Sequence, residues 1–184
     1  MDIRLAKPDD INAFFQYLEA HLSDDSAGDT HLFQSLSSAE SNVTTLTKSQ
    51  FYHGIKKTFE ETDWRRLWLA FEEGQVVGHI EIRGHIQAYT QHRVLLGMGV
   101  ATEHRQKGLG KLLLDTLVTW LIQFPQIAYL DLWVLSHNQT AINLYEKYGF
   151  RVGGEIEDMF RINEQPCSYT FMFRPLASSS ASKI

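Results

Sequence analysis

The sequence predicts a mixed α/β domain in which helices pack against one sheet, and three observations support this class. Short apolar runs with strand-like character are interspersed with longer runs in which apolar residues recur at helical spacing. Gly74 separates "RRLWLAFEE" from "QVVGHIEIRG" as a turn separates the strands of a β-hairpin. No segment is repeated along the chain. The predicted element order is β-α-α-β-β-β-α-β-α-β-β, a mixed sheet with helices against it.

Length and composition indicate a single globular domain. The chain has 184 residues, of which 43% are hydrophobic and 21% charged. This is enough for one core and too little for two domains of typical size. We expect the domain to span residues 1–175. The remaining residues, 176–184, carry too little apolar surface to pack, and we expect a flexible tail there.

Charge and cysteine content argue against several classes of protein. The formal net charge is −5, which disfavours a nucleic-acid binder with a broad basic surface. The single cysteine, Cys167, rules out an internal disulfide and fits a reducing cytoplasm. No window approaches the ~20 apolar residues that span a bilayer, and no cationic segment leads into an apolar one at the N-terminus. We therefore expect a cytoplasmic monomer or homodimer without a nucleic-acid or membrane partner.

The first third of the chain predicts one strand and two helices. The strand is "DIRLA", and Pro8 with the two acids after it marks a helix start. That helix carries one apolar stripe, made of Ile11, Phe14, Phe15, Leu18 and Leu22. Residues 23–49 are polar and predict a surface segment with one short helix over 30–36. A second helix, ending near "ETDW", is predicted from apolar residues spaced four apart, Phe51, Ile55 and Phe59.

The rest of the chain alternates strands with two helices. After the hairpin, "HRVLLGMGVA" is nearly all apolar and predicts a central strand. A helix closed by Pro125 follows, with apolar residues at Leu109, Leu112, Leu113, Leu117, Leu121 and Phe124. "IAYLDLWVL" predicts the next strand, and "NQTAINLYEKYGF" a helix that ends at Gly149. The final strands, "FRVGGEIEDMFRI" and "CSYTFMFRP", are joined by a turn at "NEQP".

The stretch "RQKGLG" places two glycines and two cations where the central strand passes into a helix. A helix that begins here exposes N–H groups without intrahelical partners, and its dipole adds partial positive charge. Glycine at 108 and 110 lets a ligand approach the backbone. Cationic side chains add charge at Arg105, Lys107 and Lys111. The pattern predicts a cradle for two or more phosphates, with a plain structural turn as the alternative. It matches neither G-x-G-x-x-G nor the P-loop.

Two motifs in this chain resemble those of the GCN5-related N-acetyltransferases. The pattern R-x-x-G-x-G, at Arg105, Gly108 and Gly110, resembles the acyl-CoA pyrophosphate loop of that family. "NQTAINLYEKYGF" resembles the family segment N-x-x-A-x-x-L-Y-x-x-x-G-F, and every defined position matches. The two motifs occur in the right order, separated by one helix and one strand. The resemblance covers residues 66–175, and before them only the element order agrees.

The resemblance implies the acyl-CoA N-acyltransferase fold of this family, with acetyl-CoA as cosubstrate. In that fold the two central parallel strands splay apart, and backbone groups of the first strand bind the pantetheine arm between them. Asn138 is the usual side-chain contact, and a helix N-cap is its alternative role. The cofactor-binding residues implied in this way are Met98, Gly99, Val100, Ala101, Arg105, Gln106, Lys107, Gly108, Leu109, Gly110, Lys111, Asn138 and Tyr145.

Acyl transfer to an amine needs a proton acceptor for the amine and a proton or hydrogen-bond donor for the leaving thiolate. By the resemblance, Tyr145 is the donor, and a core tyrosine is the alternative. Glu81 resembles the glutamate that many family members use as a base through a water. His79 shares the strand face of Glu81 and is the alternative base. Arg83 lies on the same face. A solvated strand face is the simpler interpretation of all three.

The sequence predicts no metal site and no covalent intermediate on sulfur. The other histidines, which include His85, His92, His104 and His137, lack metal-ligand spacing such as H-x-x-x-H. Cys167 lies between small and aromatic residues of a terminal strand, which indicates a core position.

The resemblance implies transfer of an acetyl group to a primary amine, on a small molecule or a peptide, by direct attack. The acceptor groove of the fold lies between the first two helices and the last hairpin, near Asp24, Asp25, Asp29, Glu155, Glu157 and Asp158. An acidic lining favours a cationic acceptor, although acidic surface residues are expected at this net charge. Candidates for an apolar wall are Trp64, Trp68 and Tyr89. A catalytically silent acyl-CoA sensor with the same cleft is the alternative function.

Overall fold

A computed structural model describes residues 1–27, 45–162 and 164–176. The elements follow the predicted order, which confirms the fold class: β1 (Asp2–Leu5), α1 (Ile11–Ala27), α2 (Thr45–Gly54), β2 (Arg65–Glu72), β3 (Gln75–Gly84), β4 (Arg93–Val100), α3 (Leu109–Leu121), β5 (Tyr129–Leu135), α4 (Gln139–Lys147), β6 (Arg151–Ile162) and β7 (Gln165–Pro175). The short helix expected over 30–36 and the tail residues 177–184 lie outside the described residues.

The strands form one sheet in the order β1-β2-β3-β4-β5-β7-β6. The central pair, β4 and β5, is parallel, and the other neighbouring pairs are antiparallel. The predicted hairpin joins β2 to β3 through Glu73 and Gly74, whose φ values are 52° and 82°. Two consecutive residues with positive φ match the right-handed twist of the flanking strands.

The two central strands separate soon after they begin. Their ladder joins Arg93–Tyr129, Val94–Leu130 and Leu95–Asp131, and no further pair forms along these two fully described strands. Beyond Leu95, β4 pairs on its other side with β3 as far as Val100. The splay expected between the central strands is therefore present, and it leaves one edge of β4 facing open space.

The two faces of the sheet carry different cores. The larger core packs α3 and α4 against one face, which includes Ile80 and Ile82 of β3. The smaller core packs α1 and α2 against the other face, which includes Leu67 and Leu69 of β2. The predicted stripe of α1 is buried there at Ile11, Phe14, Phe15 and Leu18, and the side chain of Leu22 lies outside the described ones.

The start of α1 is held by one carboxylate. A single 3-10 turn, Pro8–Asp10, precedes the helix. Asp10 accepts hydrogen bonds from the Lys7 N–H at 2.7 Å and from both terminal nitrogens of Arg4, at 2.7 and 2.8 Å. The Arg4 guanidinium lowers the pKa of this carboxyl. The acids after Pro8 thus mark the helix start, as the sequence predicted.

Two details of the predicted helices are wrong. The second helix ends at Gly54, where an added Cβ would lie 2.8 Å from the Asp63 carbonyl oxygen, because the chain returns across the helix end. Phe59 therefore lies outside that helix, and its ring packs 4.6 Å from the ring of Trp64. In α3, Leu112 is 48% exposed while Leu114 is fully buried, since at 3.6 residues per turn Leu114 faces the sheet.

The C-terminal strands complete the sheet. Cys167 is buried beside Leu135, in agreement with the predicted core position. The backbone N–H of Leu176 donates to the Ala128 carbonyl at 2.8 Å, just beyond β7. No helix in the described ranges is both long and apolar enough to cross a membrane.

Candidate active site

The splay of the central strands opens a cleft of about 790 Å³. Its walls come from both central strands, from β3 and β7, from the N-terminal part of α3 and from α4. The cleft thus lies between the two sequence motifs: Gly110 of the first and Asn138 of the second, 28 residues apart along the chain, both line it. The fold brings both motifs to the same opening.

The free edge of β4 offers backbone groups to this cleft. The Ala101 N–H donates to the Val77 carbonyl at 3.0 Å. Because alternate residues of an antiparallel ladder face the same neighbour, Gly99 also turns its N–H and C=O towards β3. Met98 and Val100 turn theirs to the cleft, and Arg105 Nε donates to the Val100 carbonyl at 3.1 Å. Of the four backbone positions expected from the sequence, Ala101 does not line the cleft.

The loop before α3 presents unpaired N–H groups. The first helical hydrogen bond runs from the Leu112 N–H to the Gly108 carbonyl, at 3.1 Å. The N–H groups of residues 109–111 therefore have no helical acceptor, and the helix dipole places partial positive charge beside them. Gln106 and Gly108 have φ values of 60° and 85°, and an added Cβ on Gly108 would meet no atom within 4 Å. This is open, electropositive space at the end of the cleft.

The charged residues of the loop divide between cleft and surface. Arg105, Gln106 and Lys111 line the cleft, whereas Lys107 does not. Lys107 lies near Glu72 instead, where its charge helps to lower the pKa of that carboxyl, after the larger effect of a hydrogen bond from His104. Leu109 is buried in the larger core and can offer only its N–H.

Gly110 has a packing role that the sequence did not indicate. An added Cβ there would lie 3.0 Å from Leu144 Cδ2 and 3.6 Å from Met98 Cε. A glycine at this position therefore lets α3 approach α4 and β4 closely. The space that a ligand can use lies at Gly108.

Asn138 and Tyr145 bring the second motif into the cleft. Asn138 Oδ1 accepts a hydrogen bond from the Ala141 N–H at 3.1 Å, so this residue is the N-cap of α4. Tyr145 is buried one helical turn before Gly149, and its ring lies 5.5 Å from that of Phe150. Within the described part of the chain, no hydrogen bond to the Tyr145 hydroxyl is formed. Burial raises the pKa of this tyrosine, and the neighbouring Tyr169 adds to the effect.

Glu81 lines the cleft from the face of the sheet opposite to the one that packs Tyr145. It pairs in the ladders with Leu67, which packs beneath α1, and with Gly97. Glu81 Oε2 accepts a hydrogen bond from Arg65 Nη1 at 2.6 Å, and Oε1 accepts one from Arg83 Nη1 at 3.0 Å. Both carboxylate oxygens are therefore held by guanidinium groups.

His79 shares this face, as the alternation of β3 predicts, but does not line the cleft. Its ring packs edge-on against Phe14 and Tyr17 of α1, with centroid separations of 5.2 and 5.6 Å. His79 Nδ1 lies 3.4 Å from the Tyr17 hydroxyl. Helix α1 thus covers this histidine on the face of the sheet opposite to the core in which Tyr145 packs.

An aromatic pair, Trp133 and Tyr169, completes the wall on the Glu81 side. Trp133 alternates with Leu132 and Val134, which belong to the larger core, so its indole faces away from α3. The Trp133 and Tyr169 rings stack with centroids 5.3 Å apart and planes 21° apart. The sequence interpretation missed both residues, and also Arg65. The alternation in β5 was a usable signal for Trp133, whereas nothing local marks Arg65 as a partner of Glu81.

Three of the acidic residues expected near the acceptor, those of the last hairpin, are not part of this cleft. Glu155, Glu157 and Asp158 are exposed on β6 and do not line the cleft, and Asp158 pairs with Arg161 at 2.5 Å. The side chains of Asp24 and Asp25, and all of Asp29, lie outside the described residues. The expected apolar wall does not line the cleft either: Trp64 and Trp68 are buried in the larger core, and Tyr89 is exposed. Over the described ranges, no group of three potential ligands is placed to hold a metal ion.

Comparisons with solved structures agree with this geometry. An acetyltransferase of the GNAT family from Streptococcus pneumoniae has a TM-score of 0.79 at 25% sequence identity, over 96% of this chain and 99% of that chain. YncA of Salmonella typhimurium, described as a putative acetyltransferase and solved with its cofactor acetyl-CoA, has a TM-score of 0.78 at 19% identity. That match covers 100% of this chain and 98% of the other, and it shows a shared fold.

Sequence comparisons identify the family. Mouse N-acetyltransferase family 8 member 7 is 31% identical over 106 residues, which are 55% of this chain and 45% of that protein. The chain thus spans about half the length of the curated relatives it matches. The profile of the acetyltransferase (GNAT) family matches residues 32–150, well over half of the chain, and this match includes both motifs of the cleft. This chain belongs to the GNAT acetyltransferase family.

Proposed function

We propose that this protein transfers the acetyl group of acetyl-CoA to a primary amine by direct attack. The observation that carries the proposal is the position of Tyr145. Its side chain is largely buried and lines the cleft between the two splayed strands, and its hydroxyl forms no hydrogen bond with the described residues. The hydroxyl oxygen is not among the buried side-chain atoms that lack a partner, so it is accessible from the cleft and can donate a hydrogen bond to a ligand there. Membership of the family supports the same reaction.

The cleft fits acetyl-CoA, which would supply the acetyl group as an activated thioester. The N–H groups of residues 109–111, with Arg105 and Lys111, would hold the pyrophosphate at the open space beside Gly108. Backbone groups of Met98 and Val100 would bind the pantetheine amides along the free edge of β4. Asn138 would contact the cofactor while its Oδ1 caps α4.

Tyr145 would stabilise the leaving sulfur as a hydrogen-bond donor. Burial raises the pKa of the Tyr145 hydroxyl, so the proton is held more tightly than in water. A thiol has a pKa of about 8.5, well below that of a tyrosine hydroxyl. Complete proton transfer to the sulfur is therefore unfavourable, whereas a hydrogen bond to it requires no transfer. This favours stabilisation of the thiolate over outright protonation.

Glu81 would accept the proton of the attacking amine, directly or through a water. It lies on the opposite face of the sheet from Tyr145, so the two groups can act on opposite sides of the reacting carbon. Arg65 and Arg83 orient its carboxylate, and each oxygen keeps a second lone pair for a donor. The burial of His79 beneath α1 makes that residue the weaker candidate.

The test is a thiol-release assay with acetyl-CoA and a panel of amines, with the N-acetyl product identified by mass spectrometry. We expect release that depends on the amine and is lost in Gly108→Asp. Calorimetry with CoA runs in parallel. CoA binding without release for any amine would contradict the proposal and leave the acyl-CoA sensor. A cytoplasmic location and a monomeric or dimeric state stay predictions.

A further inference from the structure

Among the described residues, the wall of the cleft that faces away from α3 and α4 has more cationic than anionic side chains around Glu81. Glu81 is the one carboxylate among the described residues that line the cleft. Two guanidinium groups contact it, from Arg65 at 2.6 Å and from Arg83 at 3.0 Å. Over the described residues, this cluster of two cations and one anion has a net positive charge of one, and of the two cations Arg83 lines the cleft. A partly buried net charge attracts a ligand group of opposite sign.

The two arginines differ in what they can still bind. The Arg65 side chain is 13% exposed, and its guanidinium also packs over the Phe51 ring at 4.3 Å. The Arg83 side chain is 36% exposed and lines the cleft. Arg83 donates one side-chain hydrogen bond, to Glu81, within the described part of the chain. A guanidinium has five N–H groups, so Arg83 has donors left for a ligand.

Arg83 contacts Glu81 and lines the same cleft as the aromatic pair. Its charge acts on Tyr169, where it partly offsets the rise in pKa that burial causes. Tyr169 stacks against Trp133, which is 36% exposed and lines the same wall. An acceptor that enters from this side would therefore meet a carboxylate, a guanidinium with free donors and a flat aromatic surface.

We propose that the acceptor is a zwitterion, a free α-amino acid or a close analogue, whose carboxylate binds Arg83 while its ammonium group faces Glu81. Arg83 Nη1 and Glu81 Oε1 lie 3.0 Å apart. The ammonium and carboxylate groups of an α-amino acid are also close together, because a single carbon joins them. Each charge would meet its opposite, which is electrostatic complementarity in a small space. A polyamine would bring a second cation towards two guanidinium groups and be disfavoured. This inference rests on the proposed function.

The test compares each standard L-amino acid with its own carboxamide as acceptor. The carboxamide keeps the side chain and the amine but removes the anion. Its amine is also the less basic of the two, so a site that selects only for a free amine would favour the carboxamide. For the preferred amino acid we expect kcat/KM to exceed that of its carboxamide by about 10- to 100-fold, the range for a hydrogen bond to a charged group.

Variants of Arg83 locate the effect. Arg83→Gln should raise KM for the amino acid by about 10- to 100-fold more than KM for the carboxamide, whereas any displacement of Glu81 should lower kcat for both acceptors alike. Arg83→Lys keeps the charge and should restore part of the preference. Arg161→Gln is the matched control, because Arg161 pairs with Asp158 on exposed β6 and does not line the cleft. Thermal melting of each variant separates a lost contact from lost folding.

The outcomes distinguish this inference from the proposed function. If amines are acetylated but acid and carboxamide react equally, or Arg83→Gln affects both equally, the zwitterion site is wrong and the transferase stands. If no amine is acetylated, the proposed function fails, and the zwitterion site is then tested by calorimetry of amino-acid binding to the CoA-saturated protein. Binding of an amino acid but not of its carboxamide, abolished in Arg83→Gln, would support the zwitterion site. The absence of such binding would overturn the zwitterion site.

Discussion

Glu81 and Gly97 face each other across the β3–β4 ladder, and a Cβ at residue 97 would lie 3.2 Å from Glu81 Oε1 and 3.3 Å from its Cγ. The glycine thus leaves the room that the carboxylate occupies. Because Arg65 and Arg83 hold both oxygens from other directions, the side chain has little freedom to move aside. The position of the proposed proton acceptor therefore depends on the absence of a side chain at residue 97.

Gly97→Ala should displace the Glu81 carboxylate and lower kcat while CoA affinity changes little. Misplacement by 1 Å can cost about 100-fold, so we expect a loss up to that size. Steady-state kinetics and CoA calorimetry measure the two effects. Gly154→Ala is the control, since an added Cβ there meets nothing within 4 Å and Gly154 lies on β6 away from the cleft. A Gly97→Ala enzyme with wild-type kcat would show that the carboxylate position is unimportant.

Tyr145→Phe should lower kcat by about 10- to 1000-fold and preserve CoA affinity, because the hydroxyl acts on the leaving sulfur. Tyr148→Phe is the matched control on the same helix end. The Tyr148 hydroxyl donates to Asp115 and to the Lys111 carbonyl of α3, and it is not part of the cleft. Its loss should cost about 0.5–1.5 kcal/mol of stability and leave kcat unchanged. Equal kcat in wild type and Tyr145→Phe would return Tyr145 to a core role.

Gly108→Asp should weaken CoA binding by more than about 100-fold, since like charges in contact cost several kcal/mol. The carboxylate would occupy the space in which we place a phosphate. Gly74→Asp tests whether backbone strain alone is responsible. Both glycines have nearly equal positive φ, 82° and 85°, and both have open space around an added Cβ. Calorimetry should find full affinity in Gly74→Asp, and a similar loss in both variants would point to strain.

Ionisation of Tyr145 should not lower kcat at any pH up to about 10, which is the usual pKa of a tyrosine side chain. Burial disfavours the phenolate and raises the pKa of Tyr145, so the proton is retained on the alkaline side. Profiles of wild type and Tyr145→Phe above neutral pH should therefore run parallel. A fall in wild-type kcat near about pH 9 that is absent from Tyr145→Phe would contradict this, because the pKa would then be lowered.

Local sequence signals predicted the elements well where a turn or a stripe specified them. The glycine at 74 located the hairpin, and the motif around Asn138 placed α4 and its cap. The end of α2 was wrong because Phe59 continues the helical spacing but packs against Trp64 after the chain has turned. Spacing alone cannot tell a helical stripe from an aromatic residue recruited by tertiary contacts.

The wall of the cleft at which we place the acceptor could not be predicted from the sequence, because the contacts between its residues are non-local. Arg65 meets Glu81 only through the β2–β3 register, and Tyr169 meets Trp133 only through the β5–β7 register. A shift of either register by one residue would send these side chains to the other face of the sheet. The acids of β6 were the visible alternative in the sequence, and they lie outside the cleft.

A crystal structure of the protein with CoA would test most directly whether the splay between β4 and β5 is the site of acyl transfer. We expect the pyrophosphate on the N–H groups of residues 109–111 and the sulfur within about 3.5 Å of the Tyr145 hydroxyl, on the side opposite Glu81. CoA bound outside this cleft, or with its sulfur remote from both Tyr145 and Glu81, would contradict the assignment.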